Sequence, residues 1–225
     1  MIVELVKETS KRNPFFSAYS IRGGYREKIC VLTDCIERNE QIIRYNFADR
    51  TETLYFSLTS QKGKELQKGI NVLQRPTTYF ILDNTDAQIG KIYIKSNKLK
   101  NHLLITYYSI IFEYCDNKYE VWEIGFGSEG QYYVIYDDND ELIAVMEHID
   151  AKNYGDAVYR LYTTKDDAIE LIFLASYWYL NKDYCYICQD HETSPFAMIT
   201  PYKEIKSKYD PDFIMLIKAM DGIID

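Results

Sequence analysis

Asp166-Asp-Ala-Ile-Glu-Leu-Ile-Phe-Leu-Ala-Ser-Tyr-Trp-Tyr-Leu-Asn181 is the stretch whose reading decides the fold. Between Ala168 and Leu180 the only charge is Glu170. Thr164, with Asp167 three residues on, makes a capping-box start, and acids in the first turn suit the positive end of a helix dipole. The pattern predicts one helix over 166–181. A surface helix keeps a polar stripe, whereas this one is apolar almost all round and must be covered on nearly every side. It is too short for a bilayer, which takes roughly 20 apolar residues. The rest of the chain is therefore expected to wrap around it, with Ile169, Leu171, Ile172, Leu174 and Trp178 buried.

Working outward, the segments before it read as strands. Ile2–Val6 is a first strand, broken at Asn13-Pro14. Phe15–Ile21 and Lys28–Thr33 flank Gly23-Gly24, the signature of a glycine hairpin. Gln41–Phe47, Thr53–Thr59, Thr77–Leu82 and Gln88–Ile94 follow, with one or two helical turns expected in Ser60–Lys68 and a polar loop at Lys95–Asn101. Then come Leu103–Tyr108, Ser109–Tyr114, Tyr119–Ile124, Gln131–Tyr136, Leu142–His148 and Ala157–Tyr162, separated by Asp/Asn/Gly turns. Strands spaced roughly 10 residues apart predict a sandwich or barrel rather than βαβ units. The expected fold class is mainly β (α+β): a closed antiparallel barrel around the helix, with short C-terminal helices.

Composition narrows the function. The 225 residues include 22 tyrosines, which favour strands, and five cysteines, an odd number that reads as reduced thiols. No signal peptide or transmembrane run is visible, so a cytoplasmic protein is expected. The net charge is −8, with 13 basic against 9 acidic residues in 1–80 and 13 against 25 in 81–225. An acidic chain lacks the basic footprint that nucleic acid requires.

Residues 119–181 resemble the tubby-like barrels, a group that includes the tubby C-terminal domain, the LURP-one-related proteins and the phospholipid scramblases. The resemblance lies in Tyr119-Glu-Val-Trp-Glu-Ile, Tyr132-Tyr-Val-Ile-Tyr-Asp, Asp140-Glu-Leu-Ile-Ala-Val-Met, Tyr159-Arg-Leu-Tyr and the apolar helix. A fainter echo is Phe80-Ile-Leu-Asp with Ile89-Gly-Lys-Ile. It implies one domain over 1–190 with central helix 166–181, and it makes 191–225 a helical extension packed on the barrel. It also implies a basic site for an anionic headgroup or a similar phosphorylated ligand. The arginine-rich N-terminal part supplies Arg22, Arg26, Lys28 and Arg44 as candidates, since guanidinium groups engage two phosphate oxygens at once.

The strings that look like chemistry fail their templates. Gly125-Phe-Gly127-Ser-Glu-Gly130 matches a dinucleotide loop, but a strand follows where a helix must stand. As a kinase loop it lacks the lysine, because Met146 occupies that place. Asp137-Asp-Asn-Asp-Glu141 has Leu142 and His148 where a calcium loop needs glycine and glutamate. Cys185 and Cys188, with His191, make a CxxC without a βαβ context or a defined fourth zinc ligand. Glu170 is expected at the barrel mouth.

In the tail, Thr200-Pro201 and Asp210-Pro211 are each a cap residue with proline at the first helical position. Phe213, Leu216, Ile217 and Met220 fall at i, i+3, i+4 and i+7, one apolar face. That face either packs on the barrel or meets a partner. The expected function is a non-catalytic binding or protein-interaction module without cofactor or metal. Its partner is an unknown protein or a second copy. Headgroup binding and an enzyme whose site converges only in three dimensions are the alternatives.

Overall fold

A computed structural model describes residues 1–8, 15–37, 40–47, 53–60, 78–99, 102–126, 131–149, 158–166, 169–172, 174, 200 and 202–223. The chain is mostly β. Its strands are β1 Ile2–Glu8, β2 Phe15–Arg22, β3 Tyr25–Glu37, β4 Glu40–Phe47, β5 Thr53–Ser60 and β6 Thr78–Leu82. They continue as β7 Gln88–Leu99, β8 His102–Tyr114, β9 Asn117–Gly125, β10 Gln131–Tyr136, β11 Leu142–Ile149 and β12 Val158–Thr163. Two helices follow, α1 Lys203–Lys206 and α2 Pro211–Met220. All strand pairs are antiparallel between sequence neighbours, and β1 also pairs with β12, with Ile2 opposite Tyr162 and Leu5 opposite Tyr159.

The twelve described strands close into one antiparallel barrel, β1 pairing with both β2 and β12, whereas the expected central helix 166–181 is corrected among the described residues. Asp166 is not helical, only 169–172 and 174 have helical backbone, and 175–181 with Trp178 lie outside the described residues. The one described helix of seven residues or more is α2, on the other side of the sheet. The helical turn starts later than expected because Thr163 and Thr164 donate to Ile143 O and Lys165 N donates to Thr163 Oγ1, which holds 163–165 at the strand end. Phe112, Tyr119, Tyr133 and Tyr159, each at most 2% exposed, line the interior beside that turn. Leu171, Ile172 and Leu174 are buried in that same cluster and Ile169 packs at its edge.

The expected loop at Lys95–Asn101 is also corrected. Lys95–Leu99 continues β7, and the two strands expected between Leu103 and Tyr114 are one, β8. Polar residues there occupy outward positions of long paired strands, where charge is tolerated. Lys95 Nζ donates to Glu120 Oε1 at 3.1 Å, and Asn97 Nδ2 donates to Ser109 Oγ at 2.7 Å. Residues 61–68, the expected short helix, lie outside the described residues.

Alternation sorts the strands into two faces. Val3, Leu5, Val121, Ile135, Met146 and Leu161 point inward. Ile2, Trp122, Ile124, Val134, Val145 and Tyr162 point outward and are covered by Ile205, Phe213 and Ile217 of the two tail helices. Burying Phe213 and Ile217 contributes about 1.5–3 kcal/mol each. Asp210 caps α2 as its sequence predicts, its Oδ1 accepting from Asp212 N at 3.0 Å with proline next. Thr200 takes a different role. Its backbone N–H donates to Gly125 O and its Oγ1 accepts from Gly125 N, both at 2.9 Å, tying the tail to the end of β9. None of the described helices is long and apolar enough to cross a membrane.

Candidate functional site

Two polar or exposed groupings stand out. The first surrounds Glu170, at the end of the sheet where β8 turns into β9. The turn residue Cys115 is left-handed at φ 50, and Asn117 and Tyr119 open β9. The Tyr119 hydroxyl and the Asn117 side-chain amide (2.9 and 3.1 Å) both donate to the Glu170 carboxylate. Lys165 Nζ donates to the Tyr119 hydroxyl at 2.9 Å and lies 4.8 Å from the centre of its ring. Burial, then the bond to Glu170 and the charges of Glu170, Asp137 and Asp138, push the Tyr119 hydroxyl well above its ordinary pKa. Burial also lifts Tyr114 to about 12 and raises the Cys115 thiol, with Glu170 adding to both.

A tyrosine that gives its proton to a carboxylate and is shifted upward is a fixed donor, not a base. The arrangement clamps the helical turn at 169–172 to β9. It agrees with Glu170 as a residue of the sheet's end, and the thiol beside it, the exposed Cys115, has its pKa raised, away from the reactive thiolate. The neighbouring turn 137–141 is a self-satisfied hairpin. Asp137 Oδ1 accepts from Asn139 N at 3.0 Å and Glu141 N at 2.9 Å, and Asp140 takes φ 60. Burial works against the Asp137 charge, but those amide bonds win and hold its carboxyl below the usual range. Among the described residues no group of three or more His, Cys, Asp or Glu is placed to hold a metal. Cys185, Cys188 and His191 lie outside the described residues. Cys30 is a buried thiol pushed up to about 12 by burial, consistent with a small apolar side chain.

The second grouping joins the two sets of residues singled out in the sequence. Gly23 and Gly24, at φ 54 and 79, make the two-residue turn between β2 and β3, which needs positive φ at both positions. Gly23 N donates to Asp221 O at 2.7 Å, so the hairpin tip rests on the C-terminal end of α2. Gly222, at φ 71, ends that helix, with Ile223 N donating to Lys218 O at 2.9 Å. Arg22 is therefore exposed beside the end of α2, while Arg26 and Lys28 are exposed farther along β3.

The hairpin does not gather them into an anion cradle. Arg26 Nε lies 3.3 Å from Glu4 Oε2, and its guanidinium stacks 3.7 Å from the centre of the Tyr19 ring. Glu4 is shared with Arg160, whose NH2 and Nε donate to Oε1 at 2.7 and 3.1 Å. Lys28 lies 5.5 Å from the same Tyr19 ring. Arg44 pairs with Thr33, five positions along β3 from Lys28, about 16 Å at strand rise. It is not brought to the hairpin tip.

The four-residue apolar face of α2 divides. Phe213 and Ile217, at 7% and 0% exposed, turn to the sheet, while Leu216 and Met220, at 55% and 65%, turn away. Met215, at 57%, and the exposed Ala219 lie beside the outward pair. Tyr25, on the hairpin tip, is 83% exposed. The sequence reading missed Met215 and Tyr25. Helix spacing 212, 215, 216, 219 was the signal for the first, and an aromatic directly after a glycine turn was the signal for the second. Comparison with protein-family models, curated proteins and solved structures finds no match.

Proposed function

We propose that the protein is a non-catalytic interaction module whose docking surface is the outward face of α2 together with the tip of the β2–β3 hairpin. One observation carries this. Among the described residues the exposed large hydrophobic side chains are Tyr25, Met215, Leu216 and Met220, all on two elements hydrogen-bonded to each other. Scattered exposed apolar residues need no explanation, but a cluster of them marks an interaction surface. Methionine and tyrosine are enriched in such surfaces. Pairing of Arg26 with Glu4 weighs against a headgroup site at the same hairpin. The Tyr119 and Glu170 clamp weighs against proton-transfer chemistry at the sheet's end.

The test places a photoreactive amino acid at Met215 of the full chain, in a lysate of the source cells, with the same label at Asn139 as control. A protein crosslinked from Met215, lost on Leu216→Glu and absent from Asn139, is the expected result. Salt-sensitive sedimentation with anionic vesicles, reduced by Arg22→Glu and not by Leu216→Glu, would overturn it in favour of a headgroup.

A further inference from the structure

We propose that the occupant of this surface is a second copy of the chain, the two α2 helices lying antiparallel about a two-fold axis at Leu216. This rests on reading the surface as a protein-docking site and adds the partner. The argument begins with the charge at the two ends of α2. Its N-terminal end carries Asp210 and Asp212, both exposed, and stands near the acidic turn 137–141. Tyr136, which leads into that turn, donates from its hydroxyl to Lys208 O at 2.7 Å, and both Asp140 and Asp210 press its pKa upward behind the larger effect of burial. The C-terminal end touches Gly23 and so lies beside the exposed Arg22, while the Asp221 carboxylate there is turned in against the Met1 ammonium at 3.5 Å.

The middle of the outward face, Met215, Leu216, Ala219 and Met220, carries no charge. Antiparallel packing sets the acidic end of each helix toward Arg22 of the other. Parallel packing would set acid on acid. Asp212 and Met220 stand four residues either side of Leu216, so the axis brings Asp212 of one copy opposite Met220 of the other. Arg22 of that second copy adjoins Gly23, which bonds to Asp221 O one residue beyond Met220. A two-fold interface must be complementary to itself, and this surface is: apolar at the centre, with opposite charge at the two ends. Tyr25, standing clear of its own chain, supplies an aromatic side chain at the edge.

The experiment is light scattering with size-exclusion chromatography on the full chain. A patch of so few exposed apolar side chains gives a weak dimer, so the mass is expected to rise from one chain to two between about 1 and 100 µM. D212R alone sets Arg against Arg22 of the other copy, and R22E alone sets Glu against Asp212. Each is expected to weaken dimerisation at least about tenfold, or 1.4 kcal/mol. Mixing the two variants restores one swapped and one native charge pair in the same dimer, and the dimer returns. L216E, at an exposed position with little bearing on folding, puts two carboxylates at the axis and gives a monomer.

A single-chain mass for wild type at 100 µM, or no recovery in the D212R and R22E mixture, overturns the second-copy proposal. If the wild type is monomeric but Leu216-dependent crosslinking from Met215 still captures a different protein, only the identity of the partner has failed. If L216E changes neither mass nor crosslinking, the docking surface itself is refuted.

Discussion

The outer face of the sheet is two surfaces that meet inside one strand. On β7, β8 and the start of β9 it is a solvated polar ladder. Lys91 faces Glu113 at 2.9 Å, the Tyr93 hydroxyl donates to Glu113 at 2.9 Å, and Lys95 and Ser109 both reach Glu120, Ser109 at 2.5 Å. From Trp122 onward the same face carries an apolar patch beneath α1 and α2, made of Ile2, Trp122, Ile124, Val134, Val145 and Tyr162, and bordered by Glu4, Arg160 and Glu147. Glu120 and Trp122 stand two residues apart on one strand and mark the boundary. A strand wetted on one side needs apolar residues only at every second position. A strand covered on both sides needs them throughout. The place where alternation gives way to a continuous apolar run is therefore where a covering element must be found, and the tail supplies it.

The comparison can be broken most directly at Val145, which is fully buried on the covered side. Val145→Asp puts an unpaired carboxylate under α2 and is expected to cost more than about 3 kcal/mol. Thermal melting should show loss of the cooperative transition; a melt like wild type would mean that the tail does not seal this face. A smaller effect is expected at alkaline pH. Tyr162, beneath the tail, has its hydroxyl pushed up to about 12, chiefly by burial. The folded state thus holds a proton that the unfolded state releases from about pH 10, tyrosine's ordinary value. The stabilising contribution is complete below about pH 10 and is lost as pH rises towards 12. Urea midpoints compared at pH 9 and 11.5 should fall less for Tyr162→Phe than for wild type, and an equal fall would remove Tyr162 from the account. The smallest effect belongs to the wet side. Lys95→Ala loses an exposed ion pair, and the stability from its urea melt should fall by less than about 1 kcal/mol. A larger loss would show that the ladder is as protected as the covered half.

Much of this was legible in the sequence because strand patterns are local. Tyr132-Tyr-Val-Ile-Tyr and Leu142-Ile-Ala-Val-Met announce burial on both faces, and Gly23-Gly24 and Asp137–Glu141 fix hairpins by their backbone needs. The run at 168–180 misled because its apolarity established burial but not what buried it. Leu171 and Ile172 are indeed inside, alongside tyrosines from facing strands whose convergence no local pattern encodes. The interaction surface was half legible. Leu216 and Met220 belonged to a recognisable stripe, but its division from Phe213 and Ile217 depends on where the sheet lies. The approach of Arg22 to α2 depends on one hydrogen bond between residues 23 and 221.

The pairing of β1 with β12 bears on how the chain is made. Val3 finds its partner Leu161 about 160 residues later in the sequence, and topologies dominated by such distant pairings fold slowly. While the chain emerges from the ribosome, β1 keeps one edge unsatisfied until β12, residues 158–163, has been made, and the apolar outer face of β9 to β12 waits longer still for Ile217. Open strand edges and bare apolar faces are what chaperones bind and what misassembly exploits. Docking of α2 thus ends the exposure of that face, and loss of α2 extends it indefinitely.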